Sequence, residues 1–113
     1  SIQFNCHMDQ VDIGDKASWL HDPFSGKVVE GAVWGRGASD TKGAIATQIH
    51  ALGRLKQVGI PFYGDVYMVC VVQEETGSWG TKFLLDHFKT DLAVLGEATT
   101  NQVATGTGVE LKS

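Results

Sequence analysis

Hydrophobic and polar positions divide the chain into short apolar runs that alternate with two longer stretches of helical spacing. The runs predict strands at residues 1–6, 65–73, 91–95 and 102–107, and the stretches predict helices at 41–58 and 79–88. The run at 65–73 is almost continuously apolar and rich in valine, which predicts a central, buried strand. Because strands and helices alternate, the pattern predicts an α/β fold with a largely parallel sheet.

The segment between the first strand and the first helix is predicted to be mostly irregular. Residues 10–30 mix acidic residues, glycine, proline and serine, and we expect a long loop anchored by Trp19 and Phe24. Residues 27–34 are typical of a short hairpin that turns near Gly31.

A glycine-rich stretch, residues 34–43, leads into the first predicted helix. Ser39 or Asp40 is expected to cap that helix, and Gly59 followed by Pro61 is expected to end it. Because such turns also bind phosphate, a nucleotide or phosphate site is an alternative. However, the stretch lacks the third glycine of a dinucleotide fingerprint, and its lysine is followed by glycine rather than by the Ser or Thr of a P-loop.

Composition narrows the class of protein and of partner. The chain has 113 residues, 42% of them hydrophobic, which is enough for one globular domain. A net charge of −4 argues against nucleic acid as a partner, and the longest apolar run is too short to span a membrane. Cys6 and Cys70 lie in strand patterns and are expected to be buried thiols rather than a disulfide, which favours a reducing, cytoplasmic setting.

His7 and Asp9 follow the first predicted strand, at the edge of the sheet where α/β proteins bind ligands. A histidine on its own is more often a hydrogen-bonded residue than a metal ligand. Side chains two residues apart on an extended chain point the same way, so Asp9 can serve the same site. Asp9 could accept the second ring N–H of His7 directly, or orient the site through a neighbouring group.

Four further carboxylates occupy comparable positions. Asp40 is either a helix cap or a carboxylate that bridges two cations, and Glu97, after the strand at 91–95, is either a surface acid or a ligand. Glu74 and Glu75 follow the buried strand directly, and they repel each other unless water or a cation compensates. If a metal is present, one of this pair can bind it while the other acts as a general base toward water.

Taken together, these residues predict a metal site at the carboxyl edge of the sheet. Imidazole with carboxylates is a ligand set that suits zinc, with manganese or cobalt as alternatives. Two metals bridged by one carboxylate would stabilise both the attacking and the departing atoms of a hydrolysis.

The same motifs resemble a known family, the dinuclear zinc exopeptidases and deacylases of the aminoacylase group. That group includes acetylornithine deacetylase, succinyl-diaminopimelate desuccinylase and glutamate carboxypeptidase. The resemblance covers nearly the whole chain in order and spacing, through residues 7–11 (HMDQV), 19 with 22–24, 35–43 (GRGASDTKG), 74–77 with 80, and 96–99 (GEAT).

The resemblance implies a role for each residue of the site. His7 and Glu97 would bind a first zinc, Asp40 would bridge two zincs and Glu75 would bind the second. Asp9 would support the site, and the peptide bond after Asp40 would be cis. A metal-activated water would attack an amide carbonyl, with Glu74 as the general base.

The chain departs from the family pattern in several places. Cys6, Asp12 and Ala98 stand where the family usually has glycine, proline and proline. The resemblance also implies a second-zinc histidine after an inserted lid domain, and the chain ends at Ser113, near where the lid would begin. The other histidines, His21, His50 and His87, match no ligand motif.

The sequence therefore predicts that residues 1–113 form the N-terminal portion of a zinc-hydrolase catalytic domain, without the lid and the C-terminal part. The fold implied is a three-layer sandwich with a mostly parallel mixed sheet. The predicted reaction is hydrolysis of N-acyl amino acids or short peptides, and the longer protein could be a homodimer. The alternative is a truncated or non-catalytic relative that binds metal without turnover.

Overall fold

A computed structural model describes residues 1–99, which form five strands, two α-helices and a short 3-10 helix at Lys16–Ser18. In chain order the strands and α-helices are β1 (Ile2–His7), β2 (Lys27–Val29), β3 (Ala32–Trp34), α1 (Gly43–Gln57), β4 (Val66–Val71), α2 (Trp79–His87) and β5 (Leu92–Leu95). The strand predicted at 102–107 lies outside the described residues. No helix within residues 1–99 is long and apolar enough to cross a membrane.

The main sheet confirms the predicted α/β class. Its order is β4-β1-β5, and β1 pairs in parallel with both neighbours. The chain passes from β1 through α1 to β4, then returns through α2 to β5 on the other side of β1. Because parallel crossovers are right-handed, the two helices cover opposite faces of the sheet.

Side-chain contacts agree with this three-layer arrangement. Cys6 contacts Gln48 of α1, with 3.1 Å between Sγ and Oε1. Tyr67 packs edge-on against Phe88, the residue after α2, with ring centroids 4.8 Å apart. Cys6 pairs with Cys70 of β4, so these two side chains point to the same face of the sheet. Tyr67 is three residues before Cys70 on β4, so its side chain points to the opposite face.

The strand connections place a topological switch point at the carboxyl end of the sheet. The chain leaves β1 toward β4 but later returns to β5, so the connections diverge between β1 and β5. Ligands bind at such switch points in open α/β sheets. His7 ends β1, Glu74 and Glu75 follow β4, and Glu97 follows β5. All of these residues therefore lie at one edge.

The burial predicted for β4 is wrong over the described residues. β1 is the central strand, whereas β4 lies at an edge of the sheet, and Cys70 is exposed while Cys6 is buried. Both cysteines are free thiols. An apolar run indicates that the side chains of a strand are buried by other elements, but it does not indicate the position of the strand in the sheet.

The loop before the hairpin is anchored differently from the prediction. The hairpin forms as predicted, but Phe24 is 74% exposed and does not anchor the loop. Pro23 is buried instead, and its carbonyl accepts the N–H of Arg36 at 2.8 Å. Trp19 contributes by donating its ring N–H to the carbonyl of Ile13, at 2.9 Å.

The start of α1 also differs from the prediction. Asp40 does not cap the helix: it lies within a kinked turn, Ala38–Lys42, and α1 begins at Gly43 after Lys42, with no side-chain hydrogen bond capping the helix. The physical reason is that Asp40 and Thr41 both bond to His7, which draws this turn toward β1. The helix ends as predicted, with Gly59 in the left-handed region at φ 75°.

Gly80 allows α2 to approach β4 closely, and this predicts a large effect of substitution. A Cβ at Gly80 would collide with the backbone oxygen and nitrogen of Val72. We expect Gly80→Ala to lower the free energy of unfolding by about 1–3 kcal/mol, measured by urea denaturation. Gly53 is the matched control, because a Cβ there meets nothing within 4 Å in the middle of α1. Gly53→Ala should raise stability by about 0.5–1 kcal/mol, and equal destabilisation by both variants would contradict this packing account.

Candidate metal centre

His7 lies at the centre of the site with its ring orientation fixed. The side chain is only 1% exposed, and Nδ1 lies 2.8 Å from the carbonyl oxygen of Asp9. A carbonyl can only accept, so Nδ1 carries the hydrogen and Nε2 is the nitrogen left for a ligand. Nε2 lies 2.8 Å from Oδ1 of Asp40. A lone pair facing a carboxylate oxygen at this distance requires a cation, either a proton or a metal.

The electrostatics of His7 follow from the same contacts. Burial on its own lowers the pKa of the imidazole. The hydrogen bond to the Asp9 carbonyl and the carboxylate of Asp40 outweigh burial, so the pKa of His7 is raised above its ordinary value. The protein therefore favours positive charge between Nε2 and Asp40.

Asp9 joins the end of β1 to the loop after β4. Its carboxylate oxygens accept the backbone N–H groups of Glu74 and Glu75, each at 3.2 Å. Oδ1 is 3.7 Å from Nδ1 of His7, whereas the backbone carbonyl of Asp9 is the close partner. Burial raises the pKa of Asp9, but the two N–H groups outweigh it and the pKa is lowered. The Asp9 carboxylate thus contacts the backbone of Glu74 and Glu75, while the second ring N–H of His7 bonds to the Asp9 backbone carbonyl.

The glycine-rich turn that carries Asp40 has an unusual backbone conformation. The peptide bond between Asp40 and Thr41 is cis, and the Asp40 side chain is 51% exposed. Gly37 has φ 78°, and a Cβ there would lie 2.6 Å from Cγ of Gln10. The positive φ favours glycine at this position, whereas the Gln10 side chain is flexible and can move. Gln10 also accepts from Nζ of Lys42 at 2.8 Å.

Glu75 completes a convergent group with His7 and Asp40. One ligand atom from each of these residues lies within 4.8 Å of the others. Glu75 is also held by the N–H of Val11, which donates to Oε1 at 3.3 Å. Glu74 approaches the same ring, with Oε2 4.0 Å from Nε2 of His7. The two adjacent acids thus both reach the site while only Glu75 belongs to the group of three.

Glu97 lies outside that group, but the charges of the group shift the pKa of its carboxyl. Burial raises the pKa of its carboxyl; His7 lowers it, and the carboxylates of Asp40, Glu74 and Glu75 raise it further, so the net shift is upward. A bound cation would relieve this repulsion among carboxylates. Imidazole with several carboxylates therefore fits a divalent metal at this edge.

Nearly the whole chain matches one protein family. Residues 3–110 match the model of Peptidase family M20/M25/M40. The chain belongs to this family. The solved structure of an M20 family metallo-carboxypeptidase from Sulfolobus solfataricus has the same fold, with a TM-score of 0.71 at 22% identity over 85% of this chain and 23% of that one.

Several curated relatives share one name, succinyl-diaminopimelate desuccinylase. Succinyl-diaminopimelate desuccinylase of Paracoccus denitrificans is 39% identical over 100 residues, which cover 83% of this chain and 26% of the relative. The Methylorubrum extorquens protein of that name is 42% identical over 105 residues, covering 87% and 27%. The chain thus spans about a quarter of the length of these relatives.

Sequence reasoning missed one buried residue of this M20 site. Thr41 is fully buried, and its hydroxyl donates to the carbonyl of His7 at 2.9 Å. Only its position beside Asp40 could have drawn attention to it. His21 packs edge-on against Trp34, and His87 bonds to the carbonyl of Phe83. Neither belongs to the convergent group.

Proposed function

We propose that this chain forms the N-terminal part of the catalytic domain of a zinc-dependent M20 amidohydrolase. Its substrates are N-acyl amino acids or short peptides. The observation that carries the proposal is His7, whose Nδ1–H is committed to a carbonyl while Nε2 faces Asp40 and the converging Glu75. Family membership supports hydrolysis as the use of this site.

The chain's own donors divide between two metal positions in this proposal. His7 and Glu97 would hold the first zinc, Asp40 would serve both positions, and Glu75 would hold the second together with a histidine from a longer chain. Bound zinc lowers the pKa of water and polarises the amide carbonyl. Asp9 keeps the Glu74–Glu75 loop beside the imidazole through its two backbone hydrogen bonds.

Glu74 is the general base of the proposed reaction. Its carboxylate is about one-third exposed, and it lies near His7 without joining the convergent group, so it remains available to water. Glu74 takes the proton of the attacking water and delivers it to the departing amine nitrogen as the carbon–nitrogen bond breaks. Ser78 approaches the other oxygen of Glu74, with Oγ 3.5 Å from Oε1.

The names of the curated relatives suggest which acyl group to test first. Relatives that are 35–42% identical are named succinyl-diaminopimelate desuccinylase, so N-succinyl amino acids are the first candidates. Most of each relative's length lies outside the region matched here, and groups that select the acyl chain are expected there.

A second candidate function is metal binding without turnover by this chain alone. The observation that favours it is length, since the chain covers about a quarter of its relatives. The proposed second zinc position also needs a histidine that the chain does not supply.

The decisive experiment assays the 113-residue chain and the longer protein in parallel. Both are stripped with a chelator and returned to zinc, cobalt or manganese, with N-succinyl, N-acetyl and dipeptide substrates. We expect the longer protein to lose amide hydrolysis on stripping and to recover it with zinc, and the chain alone to bind zinc with little turnover. Hydrolysis that persists in chelator, with no metal bound, would overturn the proposal.

A further inference from the structure

The carbonyl of His7 lies beyond the point where β5 stops forming hydrogen bonds with β1. β1 pairs with β5 only from Ile2 to Asn5, and the N–H of Gly96 donates to the carbonyl of Asn5. On the other side, the N–H of Met8 donates to Val71 of β4. The His7 carbonyl therefore needs a partner from outside the strands, because buried backbone acceptors are normally bonded.

Thr41 supplies that partner. Its side chain is fully buried, and Oγ1 donates to the His7 carbonyl at 2.9 Å across 34 residues of sequence. Thr41 directly follows Asp40, whose Oδ1 lies 2.8 Å from Nε2 of His7. Two adjacent residues thus contact the two ends of His7, one at its backbone and one at its ring.

We infer that Thr41 is a positioning residue that fixes the distance between His7 and Asp40 for metal binding. Its hydroxyl ties the turn that carries Asp40 to the last residue of β1. A turn that drifted away from β1 would move Asp40 away from Nε2. The inference rests on the proposed metal site and names a residue that reaches the metal only through its neighbours.

The test compares Thr41→Val with Thr41→Ser in the 113-residue chain. Valine keeps the shape and removes the hydroxyl, whereas serine keeps the hydroxyl. Zinc affinity is measured by competition with a chromophoric chelator, and the melting temperature of the stripped chain is measured separately. We expect Thr41→Val to weaken zinc binding about 10- to 100-fold and Thr41→Ser to retain most of the affinity.

Thr47 provides the matched control. Its hydroxyl donates to the carbonyl of Gly43 at 2.8 Å, on an exposed part of α1. Thr47→Val removes the same kind of bond elsewhere and should leave zinc affinity unchanged. If Thr41→Val lowers the melting temperature but binds zinc as tightly as the unsubstituted chain, the hydroxyl is only structural and the inference fails.

A measurement on the unsubstituted chain covers the case in which Thr41→Val does not fold. Because coupling is reciprocal, zinc held by His7 and Asp40 should slow the exchange of the Thr41 hydroxyl proton with water, observed by NMR. Exchange that is the same with and without bound zinc would overturn the inference while leaving the metal site intact. Failure of the unsubstituted chain to bind zinc would overturn both.

Discussion

Replacement of Glu74 by glutamine is expected to lower kcat for amide hydrolysis by the longer protein about 10²- to 10⁴-fold. Glutamine has nearly the same shape, but it cannot take a proton from water. Zinc affinity should change little, because the convergent ligand group consists of His7, Asp40 and Glu75 and does not include Glu74. The measurement is steady-state hydrolysis of an N-succinyl amino acid, with bound zinc counted on the same samples.

The control for Glu74 is the same change at an exposed acid. Glu30 lies in the turn between β2 and β3, and Glu30→Gln should leave both kcat and zinc content unchanged. An unaltered kcat in Glu74→Gln would eliminate Glu74 as the base. A parallel loss of zinc would instead make Glu74 a ligand.

Removal of the Asp40 carboxylate is expected to have the largest effect on metal binding. Asp40 is the carboxylate closest to Nε2 of His7, at 2.8 Å. We expect Asp40→Ala to weaken zinc binding by the chain about 100-fold or more, beyond the effect of losing a supporting group. Isothermal titration with zinc measures this, with Asp86→Ala on the exposed side of α2 as the control.

The same variant changes the pH dependence of stability in the zinc-free chain. The pKa of His7 is raised in the folded protein, so protonated His7 stabilises the fold below the ordinary histidine pKa. This contribution is lost as the pH rises through the folded-state pKa. Asp40→Ala removes one cause of the raised pKa, so the urea midpoint should fall less between about pH 6 and pH 8 than in the unsubstituted chain. An equally steep fall in both would contradict the proposed His7–Asp40 interaction.

The sequence is informative about the site because most of the site residues directly follow predicted strands. Polar residues directly after apolar runs predict a shared site at the carboxyl end of the sheet, and the parallel sheet brings His7, Glu74 and Glu75 together there. The hydrogen bonds that hold the site are not predictable in this way. Asp9 reaches Glu74 across 65 residues, and no sequence period encodes such contacts.

The errors in the predicted fold have a related cause. Asp40 is of a residue type that commonly caps helices, yet its side chain contacts His7 and α1 begins only at Gly43. β4 has the composition of a central strand, yet it lies at the edge of the described sheet. In both cases, tertiary neighbours decide a conformation that local composition leaves open.

The most direct test of the metal site is the nitrogen NMR spectrum of the histidine rings during zinc titration of the chain. The account predicts that Nε2 of His7 shifts on zinc binding while Nδ1 keeps its proton, because Nδ1 is bonded to the Asp9 carbonyl. The rings of His21, His50 and His87 should not change. Zinc that binds tightly while leaving the His7 ring unchanged would contradict the central claim.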